Sequence, residues 1–144
     1  MIKIGITGSI ASGKTTASKI LSYKKGPLFS ADKVVKSLYK KNNFKKLLAK
    51  KFNIEKKFNL KYLLKRKILN NKINIKILEK IIHPLVRKEM KKFSREQRNK
   101  KTLFYEIPLL VESKLMKYFD ILIFIKAKKK ERLNILKLKG GDEK

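Results

Sequence analysis

The chain has 144 residues, which fits one domain with a single core, and its lack of Cys excludes a disulfide framework or a thiolate metal site. No stretch approaches the roughly 20 apolar residues that a membrane span needs. The net charge of +29 comes from 35 Lys and only 5 Arg against 11 Asp+Glu, spread along most of the chain. That pattern points to non-specific attraction to polyanions, not to a specific nucleic-acid partner, because recognition draws on the bidentate fork of Arg.

In chain order, Ile2, Ile4, Ile6 and Thr7 predict a short β-branched strand over residues 2–7 that runs directly into Gly8. Its apolar run is too short, and meets a Gly-rich turn too soon, for a signal peptide, so a soluble cytoplasmic protein is expected. A helix follows from Lys14 through Thr16, Ala17, Ile20 and Leu21, closed by Gly26-Pro27. Leu28-Phe29 reads as a second strand ending at Ser30-Ala31-Asp32. Val34, Val35, Leu38, Phe44, Leu47, Leu48 and Phe52 suit amphipathic helices with a break near Asn42-Asn43. Asn59 is placed to cap a helix carrying Leu60, Leu63, Leu64 and Ile68. Ile73, Ile77, Ile81 and Ile82 share one side of another helix, with an interruption expected at His83-Pro84.

Lys91 to Lys101 is highly polar and reads as an exposed helix end and loop. Thr102 to Ile107 predicts a third strand ending at Pro108. Asp120 to Ile125 predicts a fourth, whose unbroken apolar run suits burial on both faces of a parallel sheet. Residues 128–144 start as a helix and end on Gly140-Gly141 with three charged residues. Strands alternating with helices predict an α/β three-layer fold with a mostly parallel sheet, in one domain over residues 1–144.

Gly8-Ser9-Ile10-Ala11-Ser12-Gly13-Lys14-Thr15 carries the pattern G-x-x-x-x-G-K-[ST] between a strand and a helix. Gly8 lets the chain leave the strand in a tight turn, and Gly13 lets backbone N–H groups approach phosphate oxygens without a Cβ in the way. Lys14 supplies a cation for the β- and γ-phosphates, the Thr15 hydroxyl is the expected Mg²⁺ ligand, and the helix points its positive end at the anion. Thr16 completes the set. The loop by itself implies a triphosphate ligand and leaves GTPase, ATPase and small-molecule kinase open.

Four features in order resemble dephospho-CoA kinases: the loop Thr7 to Thr16, Ser30-Ala31-Asp32, Ile82-His83-Pro84-Leu85-Val86-Arg87, and Ile107-Pro108-Leu109-Leu110-Val111-Glu112. The resemblance covers essentially the whole chain. It implies the P-loop NTPase fold with a helical acceptor-binding insertion at about residues 34–95, and transfer of phosphoryl from ATP to the ribose 3′-hydroxyl of dephospho-CoA with Mg²⁺. Asp32 is the expected base, with a helix N-cap as the alternative; Ser30 stands where the family usually has a first Asp.

Glu106 is either an acid at the Mg²⁺ water shell or a solvated strand-end carboxylate. His83, Arg87 and Glu112 are the acceptor-side candidates, each with a packing or surface-charge alternative. The family continues beyond the segment present here, with an Arg-rich lid and a fifth strand. The resemblance therefore implies a chain truncated at its carboxyl end, with a partial lid over residues 126–144. Arg132 and Lys139 are the lid candidates, and a Lys lacks the bidentate clamp of an Arg. Without a fifth strand, Ile121 to Ile125 would form an exposed apolar edge. Another P-loop nucleotide or nucleoside kinase, a nucleotide-binding fragment with little activity, and a polyanion-binding module remain as alternatives.

Overall fold

Alternating β-branched residues make the first strand, β1 (Ile2–Gly8), and its inner half from Gly5 to Gly8 is buried. A computed structural model describes residues 1–55, 59–108 and 114–138. After β1 come α1 (Lys14–Ser22), β2 (Leu28–Ser30), α2 (Ala31–Leu38), α3 (Asn42–Lys51), α4 (Leu60–Leu69) and α5 (Lys72–Glu96). Then follow β3 (Thr102–Glu106), a short 3-10 helix at Met116–Tyr118, β4 (Ile121–Ile125) and α6 (Lys129–Leu138). Among the described residues the sheet has four strands in the order β2-β3-β1-β4, all pairs parallel. The expected α/β fold is therefore observed.

The chain divides into two compact units, Met1–Asp32 with Met90–Lys144, and Lys33–Glu89. In the first, β3 lies at the centre with Leu103, Phe104, Tyr105 and Glu106 buried. Neighbouring side chains of a strand face opposite ways. Glu106 accordingly meets Thr15 of α1, while Tyr105 meets Ser94 of α5. The inward face of α1 uses small residues, Ser18 and Ser22, which let the helix approach the sheet closely; Ile20 is left 68% exposed.

The second unit is helical and has its own core of Leu38, Phe44, Leu48, Phe52, Ile54 and Leu64. Asn59 caps α4 as expected, its side chain accepting a bond from the Tyr62 N–H at 3.3 Å. Lys67 donates its ammonium to the Phe52 carbonyl at the end of α3, at 2.5 Å. The break between α2 and α3 falls just before Asn42.

Three expectations are corrected. The helix is not interrupted at His83-Pro84: α5 runs 25 residues through Pro84. Proline removes a donor and leaves the carbonyl four residues earlier, that of Lys80, without its helical partner. Both Pro84 and Lys80 are on the exposed side of the helix, where a backbone group can turn to solvent, while Val86 and Met90 keep the opposite side buried. The polar stretch from Lys91 is not wholly exposed either. Ser94 is buried and Phe93 half-buried, because α5 there lies on the aromatic side of β3. Third, β4 is not buried on both faces. Among the described residues it lies at the end of the strand order, with Ile121, Leu122 and Phe124 exposed by 47%, 42% and 55%.

Candidate active site

Parallel sheets present ligand-binding groups where the carboxyl ends of their strands meet the following loops and helices. Here the register aligns Ser30 of β2 with Glu106 of β3, and Glu106 with Ile6 of β1. Three neighbouring strands thus end at one level. They deliver Ser30-Ala31-Asp32, Glu106 and the loop beginning at Gly8 to the same edge of the sheet.

The loop is built by backbone geometry more than by side-chain contacts. Gly8 is pressed against the Ile125 carbonyl of β4 and lies so that a Cβ would also come within 2.8 Å of Ser12 Oγ. Ser12 N–H donates to the Ser9 carbonyl at 3.2 Å, closing a turn around Ile10 and Ala11. Ala11 takes a left-handed conformation at φ 56°, and Gly13 another at φ 82° as the N-cap of α1. Alternation of this kind gathers N–H groups into a concave anion-binding nest ahead of a helix N-terminus. Ser9 and Ile10 are exposed, Ser12 is buried, and Thr15 and Thr16 open the first turn of α1 to solvent. Lys14 folds its ammonium back onto the Ser9 carbonyl at 2.8 Å, holding a cation over the loop.

Thr15 donates its hydroxyl to Glu106 Oε1 at 2.5 Å. Glu106 is 2% exposed, which removes the reading of a solvated strand-end carboxylate. The buried carboxylate accepting from the loop hydroxyl sets two oxygen donors side by side at the start of α1. Asp32 is exposed and sits one residue inside α2, in its first turn, so it is not the N-cap residue.

The remaining candidates occupy other elements. His83 is half-buried and Arg87 exposed, four residues apart on α5 and so on one side of that helix, in the helical unit. Arg132 is half-buried on α6, and its Nε is buried without a hydrogen-bond partner among the described residues. Glu112 and Lys139 lie outside the described residues. The helical unit also holds a groove of about 730 Å³, lined by Val35, Tyr39, Leu64 and Ile68 with Lys36, Lys40, Lys61 and Lys65.

Two features of the site are not written in any single motif of the sequence. One is the left-handed turn at Ala11, which no local residue type announces. The other is a buried hydroxyl cluster on the far face of β3, where Ser94 Oγ lies 2.6 Å from Tyr105 Oη and 2.7 Å from Tyr118 Oη. Polar residues deep inside an α/β core were the available signal, but their partners lie far apart in the sequence.

The sequence and the fold both match known proteins. The family model described as dephospho-CoA kinase matches residues 2–140. A dephospho-CoA kinase of Rickettsia prowazekii is 40% identical over 139 residues, covering 92% of this chain and 69% of that protein. One from Bartonella quintana is 37% identical over 128 residues, covering 86% and 66%. A crystal structure from Thermus thermophilus superposes with a TM-score of 0.80 at 28% identity, covering 99% of this chain and 74% of that one. A dephospho-CoA kinase from Campylobacter jejuni, 23% identical over 96% of this chain and 95% of its own, shares the fold with a TM-score of 0.55. The chain belongs to the dephospho-CoA kinase family.

Proposed function

We propose that this chain transfers the γ-phosphoryl group of ATP to the ribose 3′-hydroxyl of dephospho-CoA, the final step of coenzyme A synthesis. The observation that carries this reading, beyond family membership, is the Thr15–Glu106 pair set beside a complete phosphate loop. In the transfer, the bond between the γ-phosphorus and the β,γ-bridging oxygen breaks as the 3′-oxygen bonds to phosphorus. The loop amides and Lys14 hold the triphosphate, and Lys14 exchanges its Ser9 carbonyl for phosphate oxygens. Asp32, exposed at the same sheet edge, accepts the proton of the 3′-hydroxyl.

A hydroxyl and a buried carboxylate, both hard oxygen donors, suit Mg²⁺. Thr15 would hold the ion directly and Glu106 through its water shell, and the bound ion would neutralise charge on the phosphates. His83, Arg87 and Glu112 serve the acceptor, and Arg132 with Lys139 serves the lid. The lysine-rimmed apolar groove of the helical unit is chemically suited to an amphipathic polyanion such as dephospho-CoA. This reading also makes the protein a cytoplasmic enzyme. Among the described residues no helix is long and apolar enough to cross a membrane.

The test is to incubate purified protein with ATP, Mg²⁺ and dephospho-CoA and to measure coenzyme A. No product from a preparation that binds ATP overturns the reading. Other nucleosides and nucleotides, offered as acceptors in parallel, separate it from a kinase of different specificity.

A further inference from the structure

Glu106 and Tyr105 are neighbours on β3, and the two faces of the strand assign them different surroundings. Glu106 meets the loop hydroxyl. Tyr105, with no solvent exposure, is enclosed by Phe29, Phe93, Tyr118 and Phe119, with ring centroids 5.3–5.9 Å away. Its hydroxyl ends on Ser94 Oγ, which Tyr118 Oη also reaches. Ser94 has one proton, and its bond to the Met90 carbonyl at 2.9 Å uses it. Both phenols therefore donate to Ser94, which accepts twice. Burial pushes the Tyr105 phenol up to about 12, so it remains a donor at neutral pH.

This cluster ties together the last turns of α5, the centre of the sheet and the short helix Met116–Tyr118. It does so at the point where β3 loses its neighbours. Glu106 is the last residue of β3 in register with both β1 and β2, and beyond it one further bond, from Ile107 N–H to the Ile6 carbonyl, continues the ladder. With the Tyr105 ring and hydroxyl both fixed, the pleat of the strand is fixed, and with it the direction in which the next side chain leaves the backbone.

We propose that Ser94, Tyr105 and Tyr118 are positioning residues for Glu106, and through it set how much more tightly the site holds magnesium-bound ATP than free ATP. The inference rests on reading Thr15 and Glu106 as the magnesium side of the site. The experiment is calorimetric titration of the whole chain with ATP, once in Mg²⁺ and once in EDTA. The variants are Tyr105→Phe, Ser94→Ala, Tyr118→Phe, Glu106→Gln and the double variant Tyr105→Phe/Glu106→Gln. Tyr118→Phe changes a half-buried residue and preserves a folded test case should the core variants fold poorly.

The expected result is about a tenfold loss of affinity for magnesium-bound ATP in each hydroxyl variant, with metal-free ATP binding within about twofold of wild type. The double variant should bind no more weakly than Glu106→Gln alone. A purely structural role would weaken both forms of ATP equally, and that outcome overturns the proposal, as does full additivity in the double variant. If Glu106→Gln lowers the magnesium preference while the hydroxyl variants keep it, the positioning proposal alone fails. If Glu106→Gln itself keeps the wild-type preference, the magnesium reading of Glu106 fails and takes the proposal with it.

Discussion

Replacing Gly8 by Ala tests whether close approach of two strands, more than the loop sequence as such, builds the phosphate site. The new Cβ would overlap the backbone carbonyl of Ile125 and approach Ser12 Oγ to 2.8 Å. A carbon needs roughly 3.5 Å from such atoms, and no rotamer change moves a backbone carbonyl, so β1 and β4 must part by about 1 Å at their Gly8–Ile125 rung. Overpacking of this kind costs about 1–3 kcal/mol, or a fall of roughly 3–9 °C in Tm. The same displacement carries the loop with it, and a 1 Å misplacement of reacting groups lowers kcat/KM by about a hundredfold.

Gly5→Ala is the control three residues earlier on the same strand. Its Cβ would come within 2.9 Å of the Leu122 and Phe119 side chains; Leu122, 42% exposed, can turn away, whereas the buried Phe119 ring must shift against Tyr105, so this variant also loses stability. Melts followed by circular dichroism, calorimetric ATP binding and coenzyme A formation would be measured on both. Gly5→Ala should keep affinity for metal-free ATP within about threefold of wild type. Metal-free ATP binding that is unchanged in Gly8→Ala, or weakened as much in Gly5→Ala, refutes the argument.

Three further outcomes are expected. Lys14→Ala should abolish detectable ATP binding while leaving salt-sensitive adhesion to RNA unchanged, since the latter draws on the whole +29 charge; filter binding at two salt concentrations, beside calorimetry with ATP, checks it. Pro84→Ala should raise stability in urea by about 1–3 kcal/mol, because it restores a donor to the Lys80 carbonyl in mid-helix. The phenol of Tyr105 titrates higher when folded than its ordinary 10.0, so the folded state holds that proton longer than the unfolded chain. Its stabilising contribution is intact below pH 10 and lost as pH rises towards 12; Tyr105→Phe should flatten the decline of Tm between pH 9.5 and 11.5.

The sheet and most helices were legible because their signals are local. β-branched runs, the capping Asn59 and the apolar spacing of the helices each depend on a few neighbouring residues. The loop was legible as a turn between strand and helix with Gly8, Gly13, Lys14 and Thr15 at fixed spacing, but the left-handed conformation of Ala11 was not. Pro84 misled because the rule that proline breaks helices takes no account of which way the orphaned carbonyl faces. Ser94 and Phe93 misled because the Lys around them dominate the average over that stretch, while the burial of two positions is decided by β3. The apolar run of β4 says that these side chains favour burial, but strand order decides whether a neighbour is there to bury them. Glu106 lay between two readings until the fold brought Thr15 to it across 91 positions of sequence.

The edge position of β4 gives the positive charge a colloidal meaning. Among the described residues Ile121, Leu122 and Phe124 leave an apolar strand edge, the kind of surface that pairs copies edge to edge, and Lys126, Lys128, Lys129 and Lys130 follow directly. Lysines flanking an apolar strand act as gatekeepers, since copies that approach along this edge bring their ammonium groups together. Their reach shrinks with salt, from about 30 Å at 0.01 M to about 8 Å at physiological ionic strength. The protein should therefore disperse best in dilute buffer and self-associate as salt or a polyanion is added, the reverse of what a chain held in solution by hydration alone would do.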